Sequence, residues 1–259
     1  MDHYLVLHPH AKVNLGLFIT GKLPNGYHTL ETLLYPIPSL HDELRIQASL
    51  SKNSSLSIQG IEIDGDLNDN LCMKAYRALK EEVGDLPPVD IHLTKHIPAG
   101  AGLGGGSSDA AFTLKGLNTF FELGLSEETL AKIATPLGAD VPFFIYGKPM
   151  LATGIGTELT EIPLNFNGEI RLYTQPIHSS TVAAYKSLDY TMFDHSRKLL
   201  PVLQQDMSSW KEDLVNDLEV PVFEAYPSLQ KVKEDLYAEG AVYAAMSGSG
   251  SCMFGIFQH

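Results

Sequence analysis

With 259 residues, 44% of them hydrophobic and 19% charged, the chain has the balance of an ordinary globular protein and the length for one large domain or two small ones. The formal net charge of -13 repels phosphate backbones, which excludes nucleic acid as a partner and obliges any phosphate site to make its own field from helix N-termini, a few lysines and Mg2+. No stretch approaches the roughly eighteen apolar residues of a bilayer span, the N-terminus lacks the basic start and apolar run of a signal peptide, and Cys72 and Cys252 are too few and too distant to staple a fold; a cytoplasmic protein with no membrane partner is expected.

Residues 3–8 suit a short strand, and after Pro9 residues 11–20 alternate. Ala11, Val13, Leu15, Leu17 and Ile19 share one face, Lys12, Asn14 and Gly16 the other. An amine and an amide thus stand side by side; the plain alternative is a solvent-facing lysine on an edge strand. Residues 21–26 are turn chemistry. Tyr27-His28 then opens the apolar segment 30–37, either as a strand end or as a pair suited to stack on and hydrogen-bond a planar ligand. Residues 42–48 and 55–63 alternate again, and several strands before any helix predict an antiparallel or mixed sheet. The acids and amides of 64–70 are spaced as in a Ca2+ loop. Ala75 stands where the closing glutamate belongs, so the segment is read as the cap of a helix over 71–83.

A strand over 89–93 leads into Pro98-Ala99-Gly100-Ala101-Gly102-Leu103-Gly104-Gly105-Gly106-Ser107-Ser108 and a helix that starts at the two serines and runs to residue 121. The glycines free the backbone to present N–H groups, and the first turn and dipole of the helix favour an anion, with an oligophosphate the natural guest. Gly100, Gly102 and Gly105 formally match a dinucleotide fingerprint, but Glu122 closes the helix instead of ending a second strand, and the Walker lysine is absent. A second helix is expected over 126–137, opened by Ser126 with Glu127 and Glu128. Asp140 then stands between that helix end and an apolar strand over 141–146, as a turn cap or as a partly desolvated base held ionised by a lysine. A domain boundary near 150 divides the chain into 1–150 and 151–259. Beyond it follow a strand over 169–175, helical stretches over 181–186 and 196–205, the motif Asn216-Asp217-Leu218-Glu219, a last helical region ending near Glu239, and a second glycine-serine loop over 247–251.

Taken together these pieces resemble the GHMP small-molecule kinases over nearly the whole chain. Three motifs in order carry the resemblance: Ala11-Lys12-Val13-Asn14-Leu15, Pro98 to Ala111, and Met246-Ser247-Gly248-Ser249-Gly250-Ser251. The two extra glycines before Ser107, with Gly26-Tyr27-His28, the run 137–144 and the 216–219 motif, are similar to the branch of that family that phosphorylates CDP-methylerythritol. The resemblance implies a two-domain α+β fold, with an N-terminal ribosomal protein S5 domain 2-like α/β domain and a C-terminal ferredoxin-like α+β domain. It implies ATP-dependent phosphorylation of the 2-hydroxyl of the cytidyl alcohol in non-mevalonate isoprenoid precursor biosynthesis. The partner is then a small molecule and the chain a monomer or homodimer.

Carried over residue by residue, Lys12 and Asp140 become the catalytic pair, while Lys95 and Pro98 to Ser108 hold ATP. Asn14, Tyr27, His28 and Thr181 meet the cytidyl substrate, and Ser108 meets Mg2+. His96, Lys148-Pro149 and Ile155 depart from the family pattern, and Asp109 stands in the first turn of the phosphate helix, as a cap or as a partner of the magnesium's ligands. The alternatives are a homoserine, mevalonate or sugar kinase of the same family, or a nucleotide-binding regulator on the same scaffold.

Overall fold

The computed structural model describes residues 4–63 and 65–258; His3 and Asp64, the first residues of an expected strand and an expected loop, lie outside them. In chain order the elements are β1 (Tyr4–Leu7), β2 (His10–Lys22), β3 (His28–His41), β4 (Glu43–Ala48), β5 (Ser55–Gly60), α1 (Leu71–Val83), β6 (Val89–Lys95), α2 (Gly105–Phe120), α3 (Glu127–Ala134), α4 (Val141–Tyr146), β7 (Met150–Thr153), β8 (Glu158–Glu161), β9 (Glu169–Tyr173), α5 (Thr181–Ser187), α6 (Leu199–Leu203), α7 (Trp210–Asp213), α8 (Glu219–Ala225), α9 (Pro227–Ala238), β10 (Tyr243–Met246) and β11 (Met253–Phe257). They fall into two compact units. One takes the chain up to Ala11 with Ile37–Ala99 and Gly104–Lys148; the other takes Lys12–Pro36, Gly100–Leu103 and everything from Pro149.

In the first unit β1, β4, β6 and β5 form a sheet in that order, antiparallel except for the β5–β6 pair. A parallel pair needs a crossover instead of a hairpin, and α1 lies in it. Period-2 alternation puts Leu44, Ile46, Ile91 and Leu93 on the buried face, with Leu44 opposite Leu93 and Ile46 opposite Ile91. Helix α2 packs here so closely that a Cβ at Gly116 would stand 2.6 Å from Ile46 Cδ1. Asn70 caps α1 by accepting the Cys72 N–H at 2.9 Å, and Ser126 caps α3 by accepting that of Thr129 at 3.2 Å, both as the sequence predicts.

The strand expected over 141–146 is instead helix α4. Pro142 sits in its first turn, where an N–H has no helical partner to lose, and Gly147 closes it at φ +63°. Phe143, Phe144 and Ile145 are all buried, and a short run that is apolar on every side has no period to separate helix from strand.

In the second unit β2, β3, β7 and β8 form one sheet and β10, β11 and β9 another. Residues 150–161, left without an element in the sequence reading, are the β7–β8 hairpin. Leu17, Ile19 and Leu30 from the first sheet, Met246 and Met253 from the second, and Leu218, Val222, Leu229 and Leu236 from α8, its start, and α9 share one buried cluster. The helix expected over 196–205 shrinks to α6, because Asp194 accepts hydrogen bonds from Ser196 N at 2.9 Å and Ser196 Oγ at 2.6 Å and holds the preceding residues in a turn. The last helical region is likewise split into α8 and α9 at Tyr226-Pro227, where proline disfavours a helical residue before it. Both cysteines are buried and free. Among the described residues no helix is long and apolar enough to cross a membrane.

Candidate active site

On the first unit the phosphate-loop sequence ends at Gly104, which takes φ +72° as the N-cap of α2. The helix therefore starts at Gly105, two residues before the expected serines. A Cβ at Gly105 would stand 2.9 Å from Ile97 Cγ2 and would force Ile97 to shift. No side chain caps the helix, so its first-turn N–H groups are offered outward. Ser107 and Ser108 lie within that turn. Ser108 is 0% exposed and its Oγ has no hydrogen-bond partner, a costly state for a buried hydroxyl unless a ligand completes it.

Beneath the turn lies a buried charge cluster that sequence reasoning missed. Lys95, 3% exposed, donates to Asp109 Oδ2 at 2.6 Å and to Asp42 Oδ2. Asp42 Oδ1 in turn accepts the N–H groups of His96 at 2.5 Å and Ile97 at 2.8 Å, while Asp109 Oδ1 is buried without a partner. Burial pulls the Lys95 ammonium down, but Asp109 and Asp42 more than compensate and its pKa is raised. Burial pushes Asp109 up to about 7 against the pull of Lys95. The separation of Asp42 from Lys95 by 53 residues left no signal in the sequence. Asp140 is half-buried at the N-cap position of α4, with a side chain that does not cap the helix.

On the second unit Lys12 is 4% exposed, which settles the choice left open above against a solvent-facing lysine. Its Nζ donates to Asn14 Oδ1 at 2.6 Å; Asn14 Nδ2 donates to Thr32 Oγ1 at 3.0 Å, and Thr32 donates to Gly16 O at 2.6 Å. Thr32, on the neighbouring strand β3, is the member that sequence periodicity could not supply. The Lys12 N–H donates to Leu103 O at 3.0 Å, and Cys252 N donates to Ala101 O at 3.0 Å. Ser247 Oγ donates to Gly102 O at 2.8 Å. At Gly102, φ +76°, a Cβ would stand 2.0 Å from Ser247 O, so only glycine allows this approach. Gly100–Leu103 is thereby fastened to β2 and to the glycine-serine turn. Thr181 Oγ1 and Ser249 Oγ are 2.7 Å apart, which brings Thr181 to the same turn.

Tyr27 is 63% exposed in its turn. His28 is buried, stacked on Tyr185 at 5.6 Å between ring centroids, and Tyr190 lies 6.2 Å away and itself stacks on His195 at 3.8 Å. Burial, then Lys22, lowers the His28 pKa and favours the neutral ring, whose buried Nε2 has no partner. Tyr185 and Tyr190 were not foreseen, because a seven-residue helix and a 3-10 turn have too little periodicity to orient a ring.

The model of the GHMP kinases N terminal domain matches residues 70–148, and that of the GHMP kinases C terminal matches residues 197–259. The 4-diphosphocytidyl-2-C-methyl-D-erythritol kinase of Bacteroides fragilis is 47% identical over 98% of this chain and 92% of its own length, and that of Porphyromonas gingivalis 45% identical over the same shares. A crystal structure of 4-(cytidine 5'-diphospho)-2C-methyl-D-erythritol kinase superposes with a TM-score of 0.83 at 34% identity, covering 97% of this chain and 90% of that one. A homoserine kinase structure from Cytophaga hutchinsonii shares the fold, with a TM-score of 0.73 at 19% identity over 94% of this chain and 84% of its own. With both family models matched, with near-full-length relatives and with the two-domain fold they share, the chain belongs to the GHMP kinase family.

Proposed function

We propose that this ATP-dependent small-molecule kinase transfers the γ-phosphoryl group of ATP to the 2-hydroxyl of 4-diphosphocytidyl-2-C-methyl-D-erythritol, giving the 2-phosphate and ADP in non-mevalonate isoprenoid precursor biosynthesis. The observation that carries the reading is the near-full-length identity to kinases of that name, 47% and 45%. Lys12 stabilises charge developing on the transferred group, and Asp140 accepts or orients the hydroxyl proton, a contribution of about 10²–10⁴-fold for general-base help. Pro98 to Ser108 cradle the triphosphate with backbone N–H groups. Lys95 is taken up by two carboxylates, so its part in ATP binding is to hold this loop.

The buried, unpartnered Ser108 hydroxyl fits a magnesium–nucleotide complex. Mg2+, held by Ser108 and the phosphates, would neutralise charge on the triphosphate. Among the described residues no cluster of three or more His, Cys, Asp or Glu is arranged to hold a metal alone, which suits an ion that arrives with the nucleotide. Asn14 and Thr181 orient the cytidyl substrate, Tyr27 stacks on its base, and the neutral His28 Nε2 pairs with it. We place the enzyme in the cytoplasm, as a monomer or homodimer, with sequence domains 1–150 and 151–259, inside each of which one family model matches.

The test is Mg2+-dependent ADP release from ATP with the cytidyl alcohol, run beside mevalonate, homoserine and galactose. Turnover with the cytidyl alcohol alone is expected. Turnover with another of the four reassigns the substrate, and ATP binding with no turnover makes the chain a regulator.

A further inference from the structure

The motif Asn216-Asp217-Leu218-Glu219 touches no expected ligand, yet three of its four side chains are buried polar or charged groups. Buried carboxylates bring little net stability, since desolvation opposes their pairing, and here burial raises both Asp217 and Glu219. What they accept explains their presence. Strand β2 is the edge of its sheet and β10 the edge of the other, so backbone N–H groups on their outer sides lack a strand partner. Asp217 Oδ2 accepts the Ile19 N–H of β2 at 2.8 Å and is paired with Arg197 at 2.6 Å. Glu219 Oε1 accepts the Met246 N–H of β10 at 2.8 Å, and its Oε2 is paired with Lys233 at 2.6 Å. The backbone joins in: Leu17 N donates to Val215 O and Asp217 N to Leu17 O, each at 2.9 Å, forming a short parallel bridge to β2.

Asn216 completes the arrangement. It is 2% exposed and fully satisfied: its amide nitrogen donates to Met246 O and Gly248 O, both at 2.8 Å, and its Oδ1 accepts the Leu218 N–H at 3.0 Å. The turn it grips is the one that faces the Lys12–Asn14 pair. Gly248 has φ +57°, and a Cβ there would stand 3.1 Å from Asn14 Oδ1 and 3.7 Å from Lys12 Nζ. One four-residue motif therefore holds both the strand that carries Lys12 and Asn14 and the turn packed against their heads.

We propose that Asn216 is a positioning residue for phosphoryl transfer: its side-chain amide sets the Ser247–Gly250 turn against Lys12 and Asn14, with Asp217 and Glu219 fixing the two strands it joins. The proposal rests on the kinase reading for its activity readout only. Asn216→Asp is the informative change, because it keeps the shape and turns a double donor into an acceptor facing two carbonyls.

A displacement on the order of 1 Å in such a setting costs about 10²-fold in rate. The expected result for Asn216→Asp is a kcat lower by about that factor, KM for ATP and the cytidyl alcohol within about threefold, and faster amide hydrogen exchange at Gly248 and Ser249. Asn216→Ala, which removes the donors without introducing repulsion, gives the same pattern more weakly and serves if the aspartate variant does not fold. An unchanged kcat in whichever variant folds, or a lost kcat with unaltered exchange at Gly248, overturns the proposal. A wild-type chain that does not turn over the cytidyl alcohol, while exchange at Gly248 still rises in the variant, defeats the substrate assignment but not the grip of Asn216 on the turn, and kcat is then compared with whichever of the other alcohols is turned over.

Discussion

Replacing Lys95 by methionine keeps the length of the side chain and deletes its charge. Lys95 Nζ is bound by Asp42 and Asp109, both buried, so the change leaves two carboxylates without a counter-charge. Removing one partner of a buried ion pair costs about 3–5 kcal/mol. At about 2–4 °C per kcal/mol for a chain of this size, the melting midpoint falls by roughly 6–20 °C. The pH dependence identifies the cause. Asp109 titrates at about 7 instead of its ordinary 3.8, because burial outweighs the attraction of Lys95. A carboxyl group with a raised folded-state pKa contributes stability that is complete below 3.8, fades as the pH rises and is lost above about 7. Without Lys95 the proton is held to still higher pH. Lys95→Met therefore costs least near pH 5, where Asp109 is already neutral, and most near pH 8. Thermal melts of the wild type, Lys95→Met and the double variant Lys95→Met with Asp109→Asn, at about pH 5 and about pH 8, measure this. The double variant regains stability at the higher pH because an amide at that position is neutral without taking up a proton that the unfolded carboxylate lacks. A loss under about 1 kcal/mol at the higher pH, or an equal loss at both, refutes the charge-cluster account. A large loss of ATP affinity with an unchanged midpoint restores Lys95 to direct nucleotide contact.

Asp140→Asn is expected to lower turnover by about 10²–10⁴-fold with ATP affinity within a few-fold, measured by steady-state kinetics and nucleotide titration; full activity removes Asp140 as the base. Tyr27→Ala raises KM for the cytidyl alcohol well above its effect on KM for ATP, and an equal rise in both rejects the stacking role. Gly102→Ala and Gly106→Ala separate packing from binding. The first puts a methyl group 2.0 Å from Ser247 O at φ +76° and lowers the melting midpoint, whereas the second meets only Leu71 at 3.7 Å and leaves it unchanged. A fall in ATP affinity for Gly106→Ala at an unchanged midpoint then reports the nucleotide itself, and an unaltered affinity places the phosphates elsewhere.

The parts of the fold legible in the sequence were those with a local cause. Asn70 and Ser126 cap helices because a side-chain oxygen needs only to reach an N–H two or three residues on. The alternation of 11–20 revealed a strand, but not that Lys12 and Asn14 lie inside, because burial of the second face depends on residues some two hundred positions away such as Asn216 and Gly248. Residues 141–146 were misread because uniform burial erases the periodicity that separates helix from strand. Among the candidate ligand contacts, the glycine run and the Lys12–Asn14 spacing were visible as motifs. The cluster of Asp42, Lys95 and Asp109 and the ring row of His28, Tyr185, Tyr190 and His195 were not, since each is assembled only by tertiary packing.

The charge cluster also decides how an acidic chain holds a triphosphate. A net charge of -13 requires a local source of positive potential, and Lys95 is the lysine nearest in sequence to the glycine run. Its ammonium is met by two carboxylates, so the cluster as a whole adds no positive field beneath α2. What α2 itself offers is its uncapped first turn, equivalent to roughly half a positive charge at the N-terminus, and the Ser108 hydroxyl. Half a charge cannot balance the several negative charges of a triphosphate. On the reading proposed above, a metal arriving with the nucleotide would supply the rest, and the cluster serves geometry: Asp42 holds the N–H groups of His96 and Ile97 where the chain enters the loop, and Asp109 stands just past the first turn of α2, with Lys95 joining the two.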